Sequence, residues 1–308
     1  MTLVLSVQNR DTMWLMVDRR LSYGGRRSPQ EDAVKVITLE TTDGVALLGY
    51  AGLGATSLGT QPSDWMAHVL RGHEGLTLEH ALGVLSGAAN RQLPRHLAKM
   101  PGGAHFIIAP AFIRGIGPRL YGIENFVDRK TGRHRYSYTS YRRTADPGSP
   151  SIRLALGGTG GIYLARKSMA WQRTLLSLVK AHYRGKVSDY LVADQLAKLN
   201  YETHQGVRDG SVGPRSIVLW RRRPDPRRPA SGGGHQFYNR VERDSEEAAV
   251  PIITNGLDVQ SIVGLMLQQY RQRFADRGWT VGQPAATEEA EMKRLVEQLT
   301  WEPDERLR

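Results

Sequence analysis

Two neighbouring stretches decide the reading of this chain: Met1-Thr2-Leu3-Val4-Leu5-Ser6-Val7 and, beyond a short turn, Thr12-Met13-Trp14-Leu15-Met16-Val17-Asp18-Arg19-Arg20. Both are apolar and β-prone. Residues 3–9 read as a strand, Asn9-Arg10-Asp11 as a tight turn, and residues 12–18 as the return strand. The second residue carries the chemistry. Methionine aminopeptidase removes Met1 when a residue as small as Thr follows. Thr2 is then left with a free α-amino group beside its own hydroxyl, a nucleophile and a base on one residue.

Outward from this hairpin, Ser22 to Pro29 is a Gly, Ser and Pro-rich loop. Strands are expected at 34–39 and 45–51, joined by the Asp43-Gly44 turn. A helix is expected at about 62–71, with Trp65, Met66, Val69 and Leu70 on one face. A longer one is expected from Thr77, a plausible N-cap, toward Met100, with Pro94 set to kink or end it. Strands return at 104–113, 118–127, 135–142 and 152–156. Helices follow at about 161–183 and 188–204, the second capped by Ser188, and a strand at 216–220 closes the set. Helices grouped in pairs between groups of strands do not alternate in the βαβ manner. They point to sheets packed on each other with helices outside.

Residues 222–236 are rich in Pro, Gly and Arg and read as a linker. The division is therefore a domain over 1–221, a linker over 222–236 and an extension over 237–308. The extension holds a short apolar run, Val250 to Ile253, and helices at about 258–276 and 287–300. The first of these helices has an apolar face of Leu257, Ile262, Val263, Met266, Leu267, Tyr270 and Phe274.

The 308 residues suffice for one large domain with an appendage. The absence of Cys excludes disulfides, thiolate metal sites and a Cys nucleophile. No run is long and apolar enough for a transmembrane helix, and no signal peptide is evident, so the cytoplasm is the expected compartment. Net charge is +12 and mostly Arg in origin, which fits either a solvated surface or nucleic acid. No His-Glu-x-x-His or paired metal spacing and no Gly-x-Ser-x-Gly elbow is present, and neither metal nor cofactor is expected. Gly157-Gly158-Thr159-Gly160-Gly161 reads as a strand-to-helix turn or a phosphate loop, without Walker A spacing.

Taken together, these motifs resemble the proteasome β-type peptidases, and among them the bacterial HslV and Anbu groups, over about residues 2–221. The family begins with Thr, here Thr2. It places an Asp on the second strand, here Asp18, 16 residues on, followed by Arg20. Its strand Lys-Val is matched by Lys35-Val36, one residue late. Its Gly-x-Ala-Gly is matched by Gly49-Tyr50-Ala51-Gly52, and its Gly-Ser-Gly by Gly158-Thr159-Gly160. Its Arg-Asp followed by Ser-Gly is approached by Arg208-Asp209-Gly210-Ser211-Val212-Gly213, with the Ser one residue early.

The resemblance implies an α+β fold, a four-layer αββα sandwich of the N-terminal nucleophile hydrolase type with a C-terminal helical extension. It implies a threonine endopeptidase in a ring-shaped or multi-ring homo-oligomer acting on unfolded or peptide substrates, which an ATPase unfoldase could feed. Thr2 is the implied nucleophile, its amine the base, with a reference pKa of about 7.7–8.0. Lys35 supplies positive charge beside Thr2, and Asp18 holds that ammonium. The Gly52 N–H is the implied oxyanion donor. Thr159, Asp209 and Ser211 support the amino terminus. Ser22 holds the substrate main chain, and Ala33, Tyr50 and Gly54 line the specificity pocket. Two other readings stay open: a catalytically silent proteasome-like scaffold, and a basic nucleic-acid-binding module using the Arg135–Arg143 stretch, which reads equally as an ordinary strand.

Overall fold

The computed structural model describes residues 2–21, 29–52, 61–93, 105–127, 134–141, 152–225, 231–239 and 249–267. The N-terminal hairpin forms as its sequence predicts. Strands β1 (Val4–Gln8) and β2 (Thr12–Asp18) are buried at every position. Asn9 closes the turn, its side-chain oxygen accepting from the Asp11 and Thr12 amides at 2.8 and 2.7 Å. Burial on both faces explains why these strands read as continuous apolar runs rather than as alternating ones.

The remaining elements follow in order: β3 (Val36–Glu40), β4 (Gly44–Gly52), α1 (Pro62–Leu70), α2 (Leu78–Gln92), β5 (His105–Ile113), β6 (Gly117–Val127), β7 (His134–Ser140) and β8 (Arg153–Gly157). Then come α3 (Gly158–Arg166), α4 (Ala170–Tyr183), α5 (Asp189–Gly206), β9 (Ser216–Arg222), β10 (Gly232–Phe237), β11 (Ile252–Thr254) and β12 (Leu257–Asp258). Residues 259–267 are helical. None of the described helices is long and apolar enough to cross a membrane.

The fold is α+β with two sheets. One has five antiparallel strands in the order β10-β9-β2-β1-β8. The other has seven in the order β12-β11-β3-β4-β5-β6-β7, antiparallel except for the parallel pair β11–β3. Alternate side chains of β1 and β2 point to different cores. Val4, Met13, Leu15 and Val17 meet Val36, Leu47, Ile108 and Phe112 of the other sheet. Leu5, Val7, Trp14 and Met16 meet Leu175, Val179, Val192 and Leu196 of α4 and α5. A third core joins Ile37, Leu48 and Ile107 to Trp65, Met66, Leu82 and Leu85 of α1 and α2.

Three expectations need correction. The helix expected at 161–183 is two helices, broken at Lys167, whose backbone is extended; the Leu164 carbonyl accepts from the Lys167 amide at 3.2 Å and from the Trp171 indole at 3.1 Å. Ser188 occupies the N-cap of α5 but makes no side-chain capping bond. Thr77 does cap α2, accepting from the His80 amide at 3.4 Å.

The larger correction concerns 222–236. Its Gly-rich end is not a linker: Gly232–Phe237 is strand β10, paired antiparallel to β9 from Gly232↔Arg221 to Phe237↔Ser216. Glycine is required by packing. A Cβ at Gly232 would overlap the Trp220 carbonyl oxygen, and one at Gly233 would overlap the Trp220 ring. Beyond it, β11 and β12 extend the other sheet, and Ile253 is fully buried. Segment 237–308 therefore begins with strands in both sheets. Within the helical residues 259–267, Val263, Met266 and Leu267 are exposed, while Tyr270, Phe274 and the helix expected at 287–300 lie outside the described residues.

Candidate functional site

Thr2 precedes β1, Asp18 ends β2, and Lys35 stands immediately before β3. Pairing of β1 with β2 sets Thr2 beside Asp18, and the facing sheet brings Lys35 across to both. All three are buried: Thr2 is 1% exposed, Asp18 0% and Lys35 2%.

The Lys35 ammonium makes a full set of three bonds. It donates to Thr2 Oγ1 at 2.8 Å, to Asp18 Oδ1 at 3.1 Å and to the Arg20 carbonyl. Asp18 is equally committed. Its Oδ1 also accepts from the Leu3 amide at 3.0 Å, and its Oδ2 accepts from the amides of Arg20 and Gly213 at 3.2 and 3.1 Å. Burial pushes the Lys35 pKa below the ordinary lysine value; the Asp18 charge and hydrogen bond, and the Glu31 charge, oppose that shift. Nζ is thereby fixed at the Thr2 hydroxyl.

A second group lies on the other side of Thr2. The strand-to-helix turn after β8 brings Gly158 and Gly160 against the Thr2 backbone; the Gly160 amide donates to the Thr2 carbonyl at 3.2 Å. Gly158 has φ of 79°, and a Cβ there would overlap the same carbonyl oxygen, so both conformation and space call for glycine. Of the two readings of this loop, the strand-to-helix turn is the one observed. Thr159 Oγ1 and Ser211 Oγ share a hydrogen bond at 2.6 Å, and the Ser211 amide donates to Asp209 Oδ1 at 2.9 Å. Hydrogen bonding from Ser211 holds the Asp209 carboxyl below its ordinary value. The structure thus joins Thr2, Asp18 and Lys35 in one network, and Thr159, Ser211 and Asp209 in another.

Gly52 ends β4, in register with His105. Ala33 is fully buried, its amide bonded to the Arg19 carbonyl at 3.0 Å. Tyr50 is 5% exposed, packs edge-on against Trp65, and has its hydroxyl bonded to His105 Nδ1, which leaves little of it for a substrate. Ser22 and Gly54 lie outside the described residues.

One participant is not evident from sequence. Glu31 pairs with Arg20 at 2.5 and 2.6 Å, and the Arg20 guanidinium also bonds the Gly210 carbonyl at 2.5 Å. Arg20 therefore ties the segment carrying its own carbonyl, a Lys35 acceptor, to the loop carrying Ser211. A Glu in a polar loop gives no sequence signal for this. Only the position of Arg20, two residues after Asp18, hints at it.

No protein-family model and no curated protein matches the chain. Among solved structures it is similar to Anbu from Hyphomicrobium sp. strain MC1, at TM-score 0.43 and 14% identity, over 89% of this chain and 97% of that one. It is also similar to the helical assembly of the Anbu complex from Pseudomonas aeruginosa, at 0.44 and 14%, over 92% and 99%. A third similar structure is Anbu, an ancestral beta-subunit, from Yersinia bercovieri, at 0.41 and 12%, over 91% and 100%. Likeness at these scores and identities assigns neither a family nor an activity.

Proposed function

We propose that this chain is a threonine-type peptidase, an N-terminal nucleophile hydrolase with four-layer αββα architecture, working as a ring or multi-ring homo-oligomer. The observation that carries the reading is the buried contact of Lys35 Nζ with Thr2 Oγ1 at 2.8 Å, with Lys35 held by Asp18 at 3.1 Å. A buried ammonium needs three acceptors, and one of the three here is the hydroxyl of the residue that loss of Met1 makes N-terminal.

In this mechanism, removal of Met1 frees the Thr2 α-amino group. The neutral amine takes the Oγ proton as Oγ attacks the scissile carbonyl. Lys35 stabilises charge developing on Oγ, and its own depressed pKa eases proton exchange at that position. The Gly52 amide donates to the oxyanion. Collapse expels the peptide amine, which takes the proton from the α-ammonium, and leaves an ester on Thr2. Water, deprotonated by the same amine, attacks the ester, releases the carboxylate product and restores Oγ–H. Thr159, Ser211 and Asp209 form the polar surround of the α-amino group.

The test is hydrolysis of unstructured peptides by purified wild-type and Thr2→Ala protein. Activity should be confined to the wild type while oligomer size by light scattering is unchanged. Equal hydrolysis by both would place the chemistry elsewhere.

A further inference from the structure

Apart from Thr2 and its network, the two sheets leave a cavity of about 550 Å³ between β8 on one side and β5 to β7 on the other. None of the residues assigned above to catalysis or substrate binding lines it. Such a volume is in the usual range for small-molecule sites, roughly 300–1,000 Å³. Phe106, Ile108, Leu120 and Ala155 give it apolar walls. Arg153 and Glu124 are polar residues of its lining.

Arg153 is the unusual member. It sits at the start of β8 in register with Gln8, and both its Nε and one Nη are buried without a hydrogen-bond partner among the described residues. Guanidinium donors left unpaired away from water are costly, and a turn of the side chain toward the cavity lets a planar oxyanion satisfy two of them at once. Glu124 does not do so; neither a hydrogen bond nor an ion pair joins it to Arg153 among the described residues. Burial pushes the Glu124 carboxyl above the usual carboxylate value. The nearby charge of Arg119 adds to the positive potential felt at Arg153.

We propose that this cavity binds a small molecule with an apolar body and a carboxylate head, the carboxylate held by the Arg153 guanidinium and the body seated against Phe106, Ile108, Leu120 and Ala155. The inference does not depend on the peptidase reading.

The experiment is isothermal titration of the full chain with decanoate and with decanol, each kept below its aggregation concentration. One saturable decanoate site per chain is expected, at least about tenfold tighter than decanol, a factor worth about 1.4 kcal/mol. Arg153→Met should weaken decanoate by a similar factor and leave decanol little changed, which also shows that the cavity is intact. Should Arg153→Met fail to fold, Arg153→Lys, which keeps the charge but loses the fork, should weaken decanoate more than decanol. Ala155→Phe, which fills the cavity from β8, should remove both ligands. Lack of saturable decanoate binding, equal affinity for decanoate and decanol, or undiminished decanoate binding by Ala155→Phe would each overturn the proposal.

Discussion

The Lys35 ammonium lies 2.8 Å from Thr2 Oγ1 while 3.1 Å from Asp18 Oδ1, with both charged side chains sealed from solvent. Burying an ion pair costs about as much as it returns, and removing one partner leaves the other charge uncompensated, at roughly 3–5 kcal/mol. Asp18→Asn and Lys35→Ala are therefore each expected to lower stability by a few kcal/mol in denaturant titrations. Lys35→Met, which keeps the length and removes the charge, should lose more than Asp18→Asn/Lys35→Met, since the double variant strands no charge.

Activity should follow a different pattern from stability. Acting as one unit on Thr2, Lys35 and Asp18 should each cut kcat by at least about a hundredfold when replaced, and the double variant should lose little more. Independent, multiplying losses in steady-state assays would separate their roles.

Gly158 is the point where backbone geometry meets the site. Any side chain there would overlap the Thr2 carbonyl, and φ of 79° is strained for L-residues. The φ alone should make Gly158→Ala cost about 1–3 kcal/mol, and the overlap with the Thr2 carbonyl adds to it. It should also reduce peptidase activity more than Gly185→Ala, which removes a glycine of similar φ where a Cβ meets nothing, measured at matched fraction folded.

A pH effect is expected at the opposite end of the five-stranded sheet. Burial raises the Asp189 pKa, but hydrogen bonds from His182 at 2.8 Å and Arg222 at 2.5 Å outweigh it and hold the carboxyl below its ordinary value. The folded state thus releases this proton more readily than the unfolded chain, where Asp titrates near about 3.9. Its contribution to stability is complete above that value and is lost as pH falls through the folded one. Asp189→Asn should be less stable than wild type at neutral pH, and the gap should narrow below about pH 4 in thermal melts.

The tail is expected to be integral to the fold. Phe237 of β10 and Ile253 of β11 are fully buried, one in the helix-side core of each sheet. Phe237→Ala should cost about 3–5 kcal/mol. Truncation after Arg223 should give insoluble or unfolded protein rather than a well-behaved smaller domain. A soluble truncated chain with an unchanged melt would contradict this.

These elements also show where the sequence was legible. Strands β1 and β2 could be read because both faces are buried and most positions are apolar, with Ser6, Gln8, Thr12 and Asp18 the exceptions. The break at Lys167 could not, since the helical periodicity continues on either side and the interruption is stabilised by a tertiary bond from Trp171. Strand β10 was hidden because Ser231-Gly232-Gly233-Gly234 carries no side-chain pattern; what makes it a strand is its ladder with β9, where the Trp220 ring leaves room only for glycine at position 233. Strand β11 has three residues and owes its parallel pairing to β3 alone. At the site, Thr2, Asp18 and Lys35 were named by resemblance and spacing, whereas the Arg20–Glu31 strut needed the fold to bring a loop glutamate against an arginine.

The central claim is that Thr2, freed of Met1, is the nucleophile. The most direct measurement is the intact mass and peptide map of the purified protein before and after treatment with a peptide epoxyketone, which requires both a hydroxyl and a free amine on one residue. The account predicts a chain lacking Met1 that gains one inhibitor mass located on Thr2, with no gain in Thr2→Ala. A chain that retains Met1, or an adduct that persists in Thr2→Ala, would contradict it.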